Sequence, residues 1–283
     1  ASFYNDLLVA PHFTNVNIAA EIQKLKLPRV ALVESYFHDM DAGWTRFVFD
    51  EHHIPFTVVR PGDFEKMDMQ KYDLFIFPDK DKNVLQSGKY KSGESYRIPA
   101  YPPDYTKGIG TEGMKKIAAF INGGGLVLSW GKSTTLFTDI FEIKDDDGTT
   151  ESFKFPVTDI SSTAAQKGLY CPGSFCKVEL KNDHPLTLGM PNETGIFYRG
   201  RPVFTTSVPS FDMDRRVIAR FPEKDILMSG YCENEKLLSQ KPIMVWLKKG
   251  KGQVVLYGFS PQFRASTQTT FKLLFNGLLL AQN

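Results

Sequence analysis

"GGGLVLSWGKSTTLF", residues 123–137, decides how this chain is read. Three glycines lead into the apolar run Leu126-Val127-Leu128, and Gly131 follows shortly after. A short apolar run bounded by glycines reads as a buried strand left through a tight turn. Many α/β enzymes present a nucleophile from such a turn, because the sharp bend thrusts one side chain out beyond the sheet. Here the bulky Trp130 stands where the reactive side chain would be.

Upstream, "GTEGMKKIAAFIN", residues 110–122, spaces Met114, Ile117, Ala118 and Ile121 as one face of an amphipathic helix feeding that strand. "RVALVES" (29–35), "IPFTVV" (54–59) and "YDLFIFPD" (72–79) read as three earlier strands, the last apolar enough to be buried on both faces. Between the first two, "DAGWTRFVFDEHH" (41–53) has helical spacing at Trp44, Phe47, Val48 and Glu51, with Asp41 as N-cap. Residues 80–110 form a long polar stretch rich in Tyr, Pro and Lys. Loops of this length are usually functional. Its Tyr- and Pro-rich part, residues 90–105, is read either as a surface loop or as a contact for a partner or glycan.

Strands alternating with helices predict an α/β fold with a mostly parallel, doubly wound sheet. The second half changes character. "FCKVEL", "RPVFTT", "RRVIARF", "DILMSG" and "PIMVWL" are short strands divided by Pro and Gly, predicting a β-rich antiparallel extension over about residues 149–249. "LKKGKGQ" (247–253) reads as a hairpin turn, and "DDDGTTE" (145–151) as a solvated turn rather than a calcium loop. "GQVVLYGFSPQF" returns to an apolar strand, and "TQTTFKLLFNGLLLAQ" closes the chain as a helix capped near Ser266 or Thr267. Residues 1–28 are taken as a leading segment or linker and residues 29–283 as the α/β domain.

Composition bounds the function. Among 283 residues, 42% are apolar and 23% charged, an ordinary globular balance. A net charge of +2 gives no reason to expect nucleic acid as a partner. No apolar run approaches the roughly 20 residues of a membrane span. "ASFYNDLLVAPHF" has neither a basic start nor a continuous apolar core, so no signal peptide is read in it. A leader already removed, or a longer chain upstream, stays open. Three cysteines, Cys171, Cys176 and Cys232, are too few for a disulfide framework and lack zinc-knuckle spacing. They are read as buried thiols, with a Cys171–Cys176 or Cys176–Cys232 bridge as the oxidised alternative.

In an open parallel sheet, ligands bind beyond the carboxyl ends of the strands. "SYFHDMDAGW", "PDKDKN", "SWGKST" and "FSPQFRAST" should converge there. With the helix-glycines-strand unit "EGMKKIAAFINGGGLVLSW" and the closing "SPQ", this order resembles a class I glutamine amidotransferase-like domain, a flavodoxin-like fold. The resemblance implies a Cys nucleophile after the fourth strand and a His-Pro-Glu motif after the last. Trp130 replaces the nucleophile, Ser260 the base and Gln262 the carboxylate, so no working triad is predicted. A serine-dependent hydrolase would need Ser129 or Ser133, with His184 brought in as base.

A second resemblance rests on "LPRVALVESYFHDMDAGWTRFVFDEHHIPFTVV", "YPPDYTKGIGTEGM", "CPGSFCKVELKNDHPLTLGMP" and "GKGQVVLYGFSPQFRASTQTTFKLLFNGLLL". These look like the region that follows the catalytic domain of large bacterial zinc carboxypeptidases. That resemblance implies a non-catalytic accessory domain of an exported, periplasmic or extracellular peptidase. Its partner would be the catalytic domain of the same polypeptide, and zinc would lie only in that domain. None of His12, His38, His52, His53 and His184 has Glu three residues later, so no zinc motif, and no other cofactor, is expected in this chain.

The candidate binding residues are His38, Asp39, Asp41, Trp44 and Arg46, with Ser129, Lys132 and Arg264. A helix N-terminus at Asp41 suits an anion, and Trp44 with Arg46 suits a ring. The blander reading buries Trp44 in the core and pairs Arg46 with a local carboxylate. Arg264 suits a carboxylate, and the ligand expected is a peptide or glycan; a stand-alone sugar- or peptide-binding module is a further reading.

Overall fold

A computed structural model describes residues 26–92, 95–97, 101–138, 140–144 and 150–282. Most of the leading segment, His12, the "DDDG" turn and parts of the Tyr- and Pro-rich stretch lie outside the described residues. In chain order the elements begin β1 Val30–Val33, α1 Met40–Glu51, β2 Phe56–Val59 and β3 Leu74–Phe77. Next come α2 Lys82–Ser87, the hairpin β4 Tyr90–Ser92 and β5 Ser95–Arg97, α3 Gly110–Gly123 and β6 Leu126–Trp130. Then follow β7 Ile140–Lys144, β8 Thr150–Lys154, β9 Val157–Asp159, α4 Ser161–Gln166, β10 Ser174–Leu180, β11 Glu193–Tyr198 and β12 Phe204–Thr206. The chain closes with β13 Met213–Arg220, β14 Leu227–Ser229, β15 Pro242–Lys249, β16 Gly252–Tyr257 and α5 Gln268–Leu279.

The main sheet runs β11-β10-β13-β15-β16-β6-β3-β1-β2, with β14 paired to β10. The stretch β2-β1-β3-β6-β16 is parallel. Counted along the chain, those five strands have the order 2-1-3-4-5 of flavodoxin-like sheets. From β16 outward every pairing is antiparallel. The α/β class with a parallel core and an antiparallel extension is therefore present, and the two parts share one sheet: β16 pairs in parallel with β6 and antiparallel with β15. The "KKGKG" hairpin joins β15 to β16 as read, with Lys249 opposite Gly252.

Strands of the parallel core are apolar at successive positions because helices cover both faces. Leu126, Leu128 and Trp130 face a layer holding Phe49 of α1 and Leu273, Leu274 and Leu278 of α5. Val127, Phe75 and Phe77 face Met114, Ile117, Ala118 and Ile121 of α3. The glycine run ahead of β6 has a steric purpose. Gly124 caps α3 with φ +118, and a Cβ on Gly125 would lie 2.2 Å from the Phe120 ring.

Several expectations need correction. The strand after the glycines extends through Trp130, whose φ −141 and ψ 160 are ordinary extended backbone. Asp39, not Asp41, precedes α1, and Asp41 sits inside its first turn. Residues 80–110 are not a plain loop: they contain α2 and the β4–β5 hairpin, anchored by Phe37 stacked on Tyr90 at 4.7 Å and Tyr36 on Tyr105 at 4.1 Å. The β7–β8 hairpin was not legible as such, and "RPVFTT" contributes β12 to a separate pair with β9.

Candidate functional site

The strand order reverses between β1 and β3, so the crevice of this fold opens where their carboxyl ends diverge. The segments after β1, β3, β6 and β16 do meet there. They line a cleft of about 370 Å³ whose wall includes His38, Asp41, Trp44, Asp79, Lys80, Lys132, Ser260 and Arg264. A second cleft of about 470 Å³ adjoins it, sharing Asp79, Lys132, Arg199, Ser260 and Phe263.

At the centre is Asp41. Its Oδ2 accepts the Asp79 backbone N–H at 3.0 Å and the Trp130 indole N–H. Its Oδ1 accepts the Gln262 amide at 3.1 Å, and the Ser260 side chain stands close enough to favour its charged form. The three positions aligned with the amidotransferase triad, Trp130, Ser260 and Gln262, thus all converge on one carboxyl group. Burial, aided by the charge of Asp79, outweighs these donors and raises the Asp41 pKa from 3.8 to about 6.

Beside it, Lys80 and Asp39 form a shielded ion pair at 3.7 Å, with side-chain exposures of 9% and 5%. Lys80 also donates to the Phe37 carbonyl, and Asp39 Oδ2 accepts the Ser35 N–H at 2.7 Å. Desolvation raises the Asp39 pKa and lowers that of Lys80; each partner's charge opposes the shift. Asp39 Oδ1 and Gln262 Oε1 are buried without a hydrogen-bond partner.

The turn itself differs from the sequence alignment by one residue. Because Trp130 finishes the strand, the left-handed position is Gly131, with φ +60. A Cβ there would lie 2.6 Å from the Asp79 carboxyl carbon. Asp79 Oδ1 also accepts the Lys132 backbone N–H at 2.7 Å. The N–H following the elbow residue is an oxyanion donor in turns of this kind, and here a resident carboxylate occupies it.

The remaining candidates separate. His38, at φ +41, is exposed on the cleft wall, edge-on to Phe37. Trp44 is 38% exposed at the cleft margin rather than in the core, and packs edge-on against Phe47. Arg46 pairs with Glu34 at 3.3 Å and does not line the cleft. Lys132 and Arg264 are exposed on its wall. Ser129 is fully buried, its hydroxyl without a partner, on the α3 side of the sheet. Ser133 is buried too and bonds the Pro78 carbonyl and the Lys80 N–H. His184 lies on the opposite side of the sheet from Ser129, against Trp246, and its Nδ1 accepts the Leu186 N–H at 3.2 Å. Neither serine meets a histidine among the described residues. Among the described residues no group of three or more His, Cys, Asp or Glu is arranged to hold a metal.

Sequence reasoning passed over Asp79 and Lys80 as site residues, although their segment was expected to converge here. It also missed Arg199 and Arg201, which follow the antiparallel strand β11 and line the second cleft. The rule about carboxyl ends of parallel strands does not reach them; the charged "RGR" after a strand was the available signal. Phe197 of β11 and Phe263 stack at 3.8 Å between the two clefts.

No family model matches the chain, and no curated protein sequence matches it. Its fold is similar to that of a ThuA-like protein from Parabacteroides merdae ATCC 43184, at 9% identity and TM-score 0.50, covering 90% of each chain. A ThuA-like protein from Bacteroides uniformis ATCC 8492 aligns at 12% identity and TM-score 0.46, over 91% of this chain and 93% of that one. The β-galactosidase from Bacillus circulans sp. alkalophilus aligns at 13% identity and TM-score 0.48, and this chain spans only 31% of its length. The expected place in the tail of a zinc carboxypeptidase is corrected by these findings: in the P. merdae protein the fold occupies nearly a whole chain, not a region behind a peptidase domain. The peptidase partner domain implied by that resemblance loses its support with it. What the comparison carries is the fold: a mixed α/β, amidotransferase-like architecture of flavodoxin-like strand order.

Proposed function

We propose that this chain is a non-catalytic, amidotransferase-like binding module whose cleft takes a peptide or glycan bearing an acidic group. The observation that carries the reading is the occupied elbow. Acyl transfer needs a nucleophile at the turn, a base beside it and a free oxyanion donor. Gly131 has no side chain, Asp79 fills the space one would need, and the Lys132 N–H is already taken. Gln262 donates a hydrogen bond to Asp41, and Ser260 stands beside the same carboxyl, instead of serving as orienter and base.

Charge supports the ligand class. Lys132, Arg199, Arg201 and Arg264 are exposed around the joined clefts, and among the described residues none forms an ion pair. An arginine fork suits a carboxylate, and the Phe197–Phe263 stack offers an apolar surface for a sugar or side-chain face.

The test has two parts. Calorimetry against matched acidic and neutral oligosaccharides and peptides should show binding of an acidic member. Arg199→Ala and Arg264→Ala should each weaken it severalfold, more at low salt than at high salt. Turnover of glutamine or an activated ester that disappears in Ser129→Ala or Ser133→Ala would overturn the non-catalytic reading.

A further inference from the structure

Three thiols lie close together, Cys171 in the wall of the second cleft with Cys176 and Cys232 behind it, and the backbone selects two of them. Tyr170 and Glu233 form an antiparallel bridge, exchanging N–H to carbonyl bonds of 3.3 and 2.8 Å. Two residues that exchange both bonds point their side chains to one face, and the next pair along points to the other. That next pair is Cys171 opposite Cys232. Exposure follows the alternation: Tyr170 and Glu233 are exposed, Cys171 is buried and Cys232 half-buried. In regular antiparallel structure such a pair has Cα atoms about 4.5 Å apart, within the roughly 4.4–6.8 Å that a disulfide spans.

Cys176 is near but differently placed. It stands in register with Ile196 of β11 and Leu227 of β14, so no cysteine lies across from it. The neighbouring thiols, Cys176 foremost and Cys232 also, hold the Cys171 pKa below the ordinary value, whereas burial raises that of Cys232. The thiols form no metal-ligating group among the described residues.

We propose that Cys171 and Cys232 form a reversible cross-strand disulfide at the rim of the cleft, made by exchange with a low-molecular-weight disulfide such as oxidised glutathione. The Cys171 thiolate attacks one sulfur of the reagent, the reagent's S–S bond breaks, and the departing thiolate takes up the proton Cys171 lost. Cys232 then attacks Cys171 Sγ, closing the protein disulfide. The second reagent thiolate leaves and takes the Cys232 proton. Two protein thiols are oxidised and one reagent disulfide is reduced to two thiols.

The bond sits where it affects the cleft. Leu169, Tyr170, Cys171 and Pro172 line it. Cys171 Sγ donates to the Tyr198 carbonyl at 3.7 Å, and a Cβ on Gly200 would be 3.0 Å from the Cys171 carbonyl. Gly200 is the residue between Arg199 and Arg201, so the disulfide would fix the segment that the backbone between the two cations approaches.

The experiment uses the full chain, incubated natively with oxidised glutathione, quenched by alkylation and mapped by peptide mass spectrometry. A single cross-link joining Cys171 to Cys232 is expected, with Cys176 alkylated and dithiothreitol reversing the bond. A Cys176→Ala variant, which retains only the proposed pair, should form the same link. A bridge through Cys176 would overturn the proposal. So would a folded Cys176→Ala protein whose two thiols finish alkylated or singly glutathionylated. The outcome does not depend on whether the cleft binds an acidic ligand.

Discussion

Asp41 accepts bonds from an indole, an amide and a backbone N–H, yet burial keeps its pKa at about 6. Linkage gives the consequence a sign. A carboxyl raised in the folded state favours folding while it is protonated, so its contribution is full below the unfolded value of 3.8 and is lost as pH rises through about 6. The charge of Asp79 adds to the rise at Asp41, and Asp39 and Asp79 together favour the charged form of Lys80. Thermal melts from pH 4 to 7 should show Asp41→Asn flattening the decline across this window, even if the variant melts lower throughout. An unchanged slope would mean that Asp41 is not the titrating group. Asp39→Ala poses a different question. Removing one member of a shielded pair strands the other, which costs about 3–5 kcal/mol. Denaturant unfolding should read that loss, and a change below 1 kcal/mol, on the scale of about 0–1 kcal/mol for exposed pairs, would mean that Lys80 reaches solvent easily.

At the scale of the element, the unit from α3 to the turn after β6 was largely readable from residues 110–131. Helical spacing, then glycines, then an apolar run allow few alternatives. The end of the strand was not readable. Trp130 and Gly131 are both compatible with a turn, and which one bends depends on Asp79, distant in sequence, seated against Gly131. Gly131→Ala is expected to destabilise by about 1–3 kcal/mol from the left-handed backbone alone, with the contact to Asp79 adding to it. A neutral result in equilibrium unfolding would show that the turn can relax away from Asp79. Similarly, the spacing of α1 was plain, but the tilt that leaves Trp44 at the cleft margin and turns Asp41 inward follows from packing on the segment after β16, where Gln262 bonds both Asp41 and Thr45.

For the whole molecule, β16 stitches the parallel and antiparallel parts into one hydrogen-bonded sheet. The residues around 149–249 are therefore expected to unfold together with the parallel core. Far-ultraviolet circular dichroism and tryptophan fluorescence, with Trp130 in the core and Trp246 on β15, should report coincident transitions. Two separated transitions would make the β-rich part an independent unit.

The strand–helix alternation, the parallel core and the residue types Trp130, Ser260 and Gln262 at the end of β6 and after β16 were determined by the sequence, because periodicity and residue type are local properties. The gathering of Trp130, Ser260 and Gln262 onto Asp41, the carboxylate seated in the elbow, the cations after β11 and the alignment of Cys171 with Cys232 were decided only by the tertiary structure. Each joins segments brought together by strand order and register, and those are set by how the whole sheet buries its two faces rather than by any one stretch of residues.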